Sequence, residues 1–583
     1  MKKFLCRLNL INGRLQLPTY GQGSIQNYVS GDFTPGKLIQ DTNTTVLLLG
    51  EARIRDKSLS IKESLDIYNN NESDLSKIEG HFLLLIIDIK NQVTKLFTDK
   101  FTTHPAYYYA DQKQILFSST LKGLVSCLDN KPDISSQALF SYLYFHCIPS
   151  PSTIYQGVKK LEPAHLLTWK EHKLTSSLYW KPTFTNSNKH SESEQCEILR
   201  NKLNSSIKNC RIDDNVGAFL SGGLDSSSVT AYLAKNSKGK AKTFTIGFSE
   251  PGYDETEFAQ AVAEHFGTEH HVYQLKPIDV LEALPKIAAH YDEPFGNSSA
   301  LPTYFCAKFA KQKGVDTLLA GDGGDELFAG NERYANQKVF AKYTQLPALI
   351  RTPLDFLIPT AAKICPINIL KKANSYIYQA NQGLPERLQH YNFLHQNPPE
   401  TVFTADILKK VDNKLPTAQL KTRYNEVDIS SPTDNMLYLD WKFTLADNDL
   451  VKVNNMTDLA GITVKYPMLS PELLNFSCQV SAERKLPGCA LRHFYKKALT
   501  PVLPGSTINK SKQGFGLPFG KWLAKDKELM VLTDNALNSL KTRNIIKSEF
   551  IDRTLDQHRN VHASFYGELV WLMVMLELWL NSH

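Results

Sequence analysis

The sequence predicts a two-domain chain of mixed α/β and α+β class: a β-rich amino-terminal sandwich, then a doubly wound parallel sheet with a helical carboxy-terminal part. Three observations predict it. Short apolar or alternating runs separated by polar turns fill residues 1 to about 125. From about residue 196 the texture changes to strand, loop and helix in alternation, the signature of a parallel sheet. Beyond about 335 the pattern is mostly amphipathic helix.

Taken in order, Val46-Leu47-Leu48-Leu49, residues 82–89 and Thr94-Lys95-Leu96-Phe97 read as strands. A second apolar section, 139–167, is punctuated by Pro149, Pro151 and Pro163. Residues 181–194 are rich in Ser, Asn and Thr and read as a linker, giving domains at 1–180 and 196–583 with 181–195 between them. In the second domain, 215–220, 243–248 and 315–320 are strand candidates, and 226–234 and 253–266 are helical. The run 571–580 contains Glu577 and reads as a buried final helix, well short of the roughly 20 apolar residues that span a bilayer.

Bulk chemistry narrows the function. Hydrophobic residues make up 42% and charged residues 21%, enough for a full core without staples. The net charge of +7 suits an anionic small molecule, and no run of five Lys/Arg supports nucleic acid. The nine cysteines are scattered and none forms a Cys-x-x-Cys pair, so zinc spacing is absent and a cytoplasmic, reduced setting is expected. The opening Met1-Lys2-Lys3-Phe4-Leu5-Cys6-Arg7 is too short in apolar residues for a signal peptide, so no membrane partner is expected.

The sharpest signal is Leu220-Ser221-Gly222-Gly223-Leu224-Asp225-Ser226-Ser227, between a strand and a helix. The glycines let backbone approach an anion, the serines supply hydroxyls, and the helix presents free N–H groups. This is a pyrophosphate cradle. Asp225 would repel phosphate unless magnesium lay between them, because that cation takes carboxylate and phosphate oxygens together. The loop lacks Gly-Lys-[Ser/Thr], so it is not the Walker type. A plain glycine-serine turn with Asp225 as a helix cap is the simpler alternative. A second loop, Ala320-Gly321-Asp322-Gly323-Gly324-Asp325-Glu326-Leu327-Phe328-Ala329-Gly330, follows another strand. Ligands bind at the carboxyl ends of parallel strands, so both loops can face one crevice and Asp325 can share the magnesium.

Together the two loops resemble the synthetase domain of asparagine synthetase B-type enzymes, an ATP-pyrophosphatase (PP-loop) fold. Thr243-Phe244-Thr245-Ile246-Gly247-Phe248, Asp292-Glu293-Pro294-Phe295-Gly296 and Lys510-Ser511-Lys512-Gln513-Gly514-Phe515-Gly516 also match in place. The resemblance implies ATP and Mg2+ as cofactors. It implies nucleotide contacts from Leu220, Ser221, Gly222, Gly223, Asp225, Ser226, Ser227, Ile246, Ala320 and Gly321, metal held by Asp225 and Asp325, and catalytic roles for Asp322, Asp325 and Lys512. It further implies an amide-forming ligase that activates a carboxylate as acyl-AMP.

Residues 1–180 resemble the family's Ntn-type glutaminase domain more weakly, through Glu79-Gly80-His81-Phe82 and Thr98-Asp99-Lys100-Phe101. A working glutaminase of that type uses a Cys directly after Met1. Lys2 stands there, and Cys6 is internal, so loss of glutamine hydrolysis is expected. In 454–467, Thr463 and Lys465, with Ser470 beyond, replace the Glu, Arg and Asp common in the family; these positions line or support its acyl pocket, which puts aspartate as substrate in doubt. The expected partners are a small-molecule or peptide carboxylate and ammonia or an amine, with a separate glutaminase or precursor peptide as further candidates; oligomeric state stays open. The alternatives are a peptide-modifying cyclase resembling the lasso-peptide cyclases, and a conventional glutamine-dependent asparagine synthetase if the start or processing differs. A tRNA-modifying PP-loop enzyme and a non-catalytic descendant complete the set.

Overall fold

The computed structural model describes residues 4–11, 14–16, 29–31, 38–40 and 44–583, apart from 55–56, 71, 172, 186–189, 211–212, 214, 366, 391 and 512–515. The amino-terminal half is a sandwich of two antiparallel sheets. One is built on Phe4–Ile11, Tyr107–Ala110 and Gln114–Ser118, and the other on Thr44–Ile54, Glu79–Asp88, Val93–Thr98 and His165–Lys170. Side chains alternate across a strand. Leu47, Leu49, Leu83 and Leu85 therefore meet Cys6, Leu8, Ile115 and Phe117 between the sheets. Val46, Leu48, Leu84 and Ile86 point the other way, into a second core with Ile61 and Leu65 of helix Ile61–Asn70. Burial on both faces explains why these strands read as continuous apolar runs.

The second half contains a five-stranded, all-parallel sheet in the order Glu269–Leu275, Lys242–Phe248, Val216–Phe219, Thr317–Leu319, Thr463–Lys465. Helices including Leu224–Asn236, Thr256–Phe266 and Ala300–Gln312 connect the strands. The fold class is thus the expected one, an Ntn-type antiparallel sandwich joined to a parallel α/β domain. Two strands were not foreseen. Glu269–Leu275 forms the sheet edge and is half exposed, so its sequence is polar and lacks an apolar run. Thr463–Lys465 is three residues long and lies 144 residues beyond the previous strand (463 against 319), so no local pattern announces it. Segment 253–255 precedes its helix, which begins at Thr256.

The linker stretch ends in a capping box, where Ser191 and Glu194 start helix Glu192–Lys208. The two halves are joined by more than this stretch. Asp292 accepts hydrogen bonds from the Leu121 and Lys122 amides, and Glu293 accepts from the Ile154 amide and pairs with Lys160 at 2.7 Å. The final helix, Ala563–Ser582, is long and apolar enough to cross a bilayer by composition, but it is packed in the core. Its Glu577 is buried and paired with Arg543 at 2.6 Å.

Candidate active site

The topology places the two glycine loops side by side. The chain runs outward from Val216–Phe219 to the edge strand, then returns to Thr317–Leu319 on the other side. The crevice at such a reversal is where ligands sit in open parallel sheets. One loop leaves each strand flanking it. Two glycines make the close approach possible. Gly222 has φ +68°, and a Cβ there would lie 2.6 Å from the Phe258 and Ala259 backbone. A Cβ on Gly324 would collide with the Asp225 carboxylate.

Asp225 and Asp325 are brought together. Arg492 donates from Nη1 and Nη2 to the two Asp225 carboxylate oxygens, each at 2.6 Å, and from Nη2 to Asp325 Oδ1. Burial works against the Arg492 charge, but the two carboxylates outweigh it and hold its pKa above the ordinary value. Arg492 itself has φ +55° and caps helix His493–Leu499, a backbone conformation that side chains rarely adopt. A non-glycine residue held there by two ion pairs marks a site whose geometry overrides local preference.

The crevice opens into a cavity of about 550 Å³. Leu220, Ser221, Gly223, Asp225, Ser226, Ile246, Gly321, Asp322 and Asp325 line it, as expected from the sequence. Three expected contacts lie elsewhere. Gly222 is at the back of its turn, against Phe258. Ser227 is fully buried inside its helix, because one step along a helix turns the side chain toward the core. Ala320 is buried and closes the ladder to Lys465 O at 3.0 Å. Asp225 is in the first turn of its helix, and Gly223 is the cap, so the capping alternative does not hold. Lys512 lies outside the described residues, with 513–515.

Sequence reasoning missed several groups here. The side chain of Lys510 is buried, pairs with Glu255 at 2.8 Å and reaches Ser221 O at 3.4 Å. Lys452 pairs with Asp449 at 2.9 Å; burial opposes its charge, but Asp449 and Asp322 raise its pKa. These two arrive on one long helix, Pro432–Leu459 in all, whose middle, Trp441–Asp449, widens into a π-helix, a feature frequent at functional sites. Burial pushes the Asp322 carboxyl up to about 6, with Lys452 opposing and Asp449 adding. Burial, then Asp325, holds Glu326 well above the usual carboxylate range.

The donor set fits magnesium. Two carboxylates converge on the Arg492 guanidinium at the cavity, and magnesium takes one or two carboxylates plus phosphate oxygens and water. Among the described residues no three metal-binding side chains cluster, and an ion shared with phosphates needs no such cage.

A family model for asparagine synthase matches residues 199–581. The chain belongs to the asparagine synthase family. A model for a glutamine amidotransferase domain matches 65–180. Asparagine synthetase [glutamine-hydrolyzing] 1 of Bacillus subtilis is 27% identical over 514 residues, covering 87% of this chain and 78% of its own length. Putative asparagine synthetase [glutamine-hydrolyzing] 2 of Methanocaldococcus jannaschii is 35% identical over 407 residues, covering 68% of this chain and 75% of its own. This asparagine synthase-family chain is therefore a carbon–nitrogen ligase, of a family that forms amides at the expense of ATP.

The amino-terminal domain of this synthase uses its polar groups differently. Cys6 is fully buried between the sheets, and burial pushes its thiol far above the ordinary value. Asp99 accepts from the Phe82, Phe101 and Thr103 amides. Thr463, Lys465 and Ser470 do not line the cavity. Thr463–Lys465 is the strand at the opposite edge of the sheet from Glu269–Leu275, Lys465 pairs with Glu51 at 3.1 Å, and Ser470 caps helix Pro471–Ser477.

Proposed function

We propose that this synthase activates a carboxylate as an acyl-adenylate, releases pyrophosphate, and passes the acyl group to ammonia or an amine. The observation that carries the reading is the convergence of Asp225 and Asp325, from two glycine turns, on one cavity at the reversal of a parallel sheet. The turn at 221–223 and the first amides of helix Leu224–Asn236 bind the pyrophosphate portion of ATP. Ile246 and Phe244 pack against the base, since both line the cavity wall. Lys510 and Arg492 bring cationic charge to the phosphates, where fixed charge is worth most as negative charge develops. Asp225 and Asp325 would hold magnesium, which neutralises charge on the departing pyrophosphate. Asp322 faces the same cavity, and its raised pKa suits an acid that exchanges a proton with the incoming nitrogen. The family resemblance gives Lys512, outside the described residues, the part of a further cation for the adenylate.

The nitrogen comes from ammonia or an amine and not from glutamine hydrolysed by Cys6, because a nucleophilic thiol must ionise and meet substrate. The nine unpaired cysteines suit a reducing, cytoplasmic compartment. The test is product analysis. ATP, magnesium and a panel of carboxylic acids should give AMP and pyrophosphate, with ATP–pyrophosphate exchange identifying the acid. ADP and phosphate as products would end the acyl-adenylate reading.

A further inference from the structure

Helices Ala348–Ile364 and Asn368–Asn381 form a hairpin that the ligase reading does not use. The inner helix anchors it, burying Ile377 and Ala380 against Phe340 and Tyr343 of helix Glu332–Thr344. The outer helix buries only Ala362 of its 17 residues. Its large apolar side chains face outward: Leu349 is 90% exposed and Phe356 71%. At the tip, Ile364 is 79% exposed, Ile369 77% and Ile367 52%. Lys363, Lys371 and Lys372 are exposed around these three isoleucines. No Asp or Glu occurs between Asp355 and Glu386. Asp355 itself is engaged, accepting from Tyr343 of helix Glu332–Thr344 at 2.6 Å and from Asn381 of the hairpin at 2.7 Å.

A cluster of exposed isoleucines is unfavourable in water unless something covers it. We propose that this tip docks peripherally on a bilayer containing anionic phospholipid, with the isoleucines in the headgroup boundary and the lysines against the phosphates. The charge pattern selects this occupant. A two-fold contact with a second copy would bring two sets of three lysines together without an acid to receive them. The tip projects, whereas a peptide ligand needs a groove. The sequence expectation of no membrane partner rested on a signal peptide and spanning segments, and a hairpin lying at the interface requires neither. The inference is independent of the acyl-adenylate reading.

Flotation of the full-length protein with vesicles tests it. Phosphatidylcholine vesicles should leave the protein behind, and vesicles of phosphatidylcholine mixed with phosphatidylserine should carry it up in a salt-sensitive manner. The triple change Lys363→Gln, Lys371→Gln, Lys372→Gln should weaken that partition by about a hundredfold. Ile364→Ser, Ile367→Ser, Ile369→Ser should weaken it at least about tenfold. All six positions are exposed, so the unfolding midpoint should stay put, and circular dichroism checks it. Wild-type protein that ignores the anionic vesicles, or variants that float like wild type, would overturn the proposal. A concentration-dependent dimer dissolved by the serine variant, without vesicle binding, would reassign the tip to self-association.

Discussion

The two halves of this chain each carry a family pattern, 199–581 in one and 65–180 in the other, yet they use their carboxylates in opposite ways. Asp225 and Asp325 point into a cavity and meet one guanidinium there. Asp99 points inward and accepts from the Phe101 and Thr103 amides of its own turn and from the Phe82 amide of the strand Glu79–Asp88. Both arrangements are electrostatically sound. A carboxylate satisfied by local amides is a structural part, whereas carboxylates that converge on an open cavity from distant segments are held in readiness for something that arrives. Motif resemblance alone does not distinguish the two; the direction of the side chain does.

Paired substitutions give the largest effects and the clearest attempt to break this contrast. Asp325→Asn should lower kcat/KM for AMP formation by about a thousandfold while leaving stability nearly unchanged, since a preorganised charge at a site of developing charge is worth several kcal/mol. Asp99→Asn should do the reverse, lowering stability by about 3 kcal/mol in urea denaturation with kcat preserved in the folded fraction, because buried amides lose a charged acceptor. Equal activity losses in both would erase the distinction.

Arg492→Met comes next. It removes the cation that balances two partly buried acids, and breaking such an arrangement from one side typically destabilises by about 3 kcal/mol. If the acids are arranged for a metal, magnesium should raise the unfolding midpoint of this variant more than that of the wild type. An equal magnesium response in both proteins would argue that the carboxylates serve Arg492 alone.

How much of this was legible in the sequence follows from how local each signal is. The turn around Gly222 and Gly223 was readable because strand, turn and helix follow one another within a dozen residues. The convergence of Asp225 on Asp325 was readable because parallel topology sends both loops to one edge. Ser227 was misplaced for a reason the sequence does contain: a helical step of about 100° turns it away from Ser226. Arg492 had no signal, since its partners lie 267 and 167 residues away and its flanks carry no motif. Lys510 stood out only as part of a motif, because its partner Glu255 comes from a distant stretch of the chain. Asp292-Glu293 stood out as part of a motif, yet its role proves to be joining the two halves, a contact that only the assembled chain reveals.

Asp322 sharpens the contrast through pH. Its folded pKa of about 6 lies above the ordinary 3.8, so the stability linked to its proton is complete below 3.8 and is lost as pH rises through about 6. After allowance for its partial exposure to the cavity, that loss is about 1–2 kcal/mol by neutral pH. Asp322→Asn should therefore be more stable than wild type in metal-free buffer near pH 7.5, with the difference shrinking as pH falls through about 6 and vanishing only below 3.8, read from denaturation midpoints across that range. A constant difference would mean that the carboxyl titrates normally and that the cavity does not hold it in the protonated form. A gain in stability accompanied by loss of ligase activity would be the mark of a functional strain at the cavity.

Cys6 gives the smallest effect. Its thiol lies between Leu8, Leu47 and Phe117 in a dry core, where it acts as a small apolar group. Cys6→Ala should cost about 1 kcal/mol of stability from the lost sulfur contacts. It should leave ammonia-dependent AMP formation untouched, because no reacting group depends on it. Wild-type protein should release no ammonia from glutamine above the uncatalysed background. If it does, and Cys6→Ala abolishes that release, the buried thiol must become exposed during turnover. The sandwich would then be a working domain caught closed, and the difference between the two halves would be one of conformation and not of function.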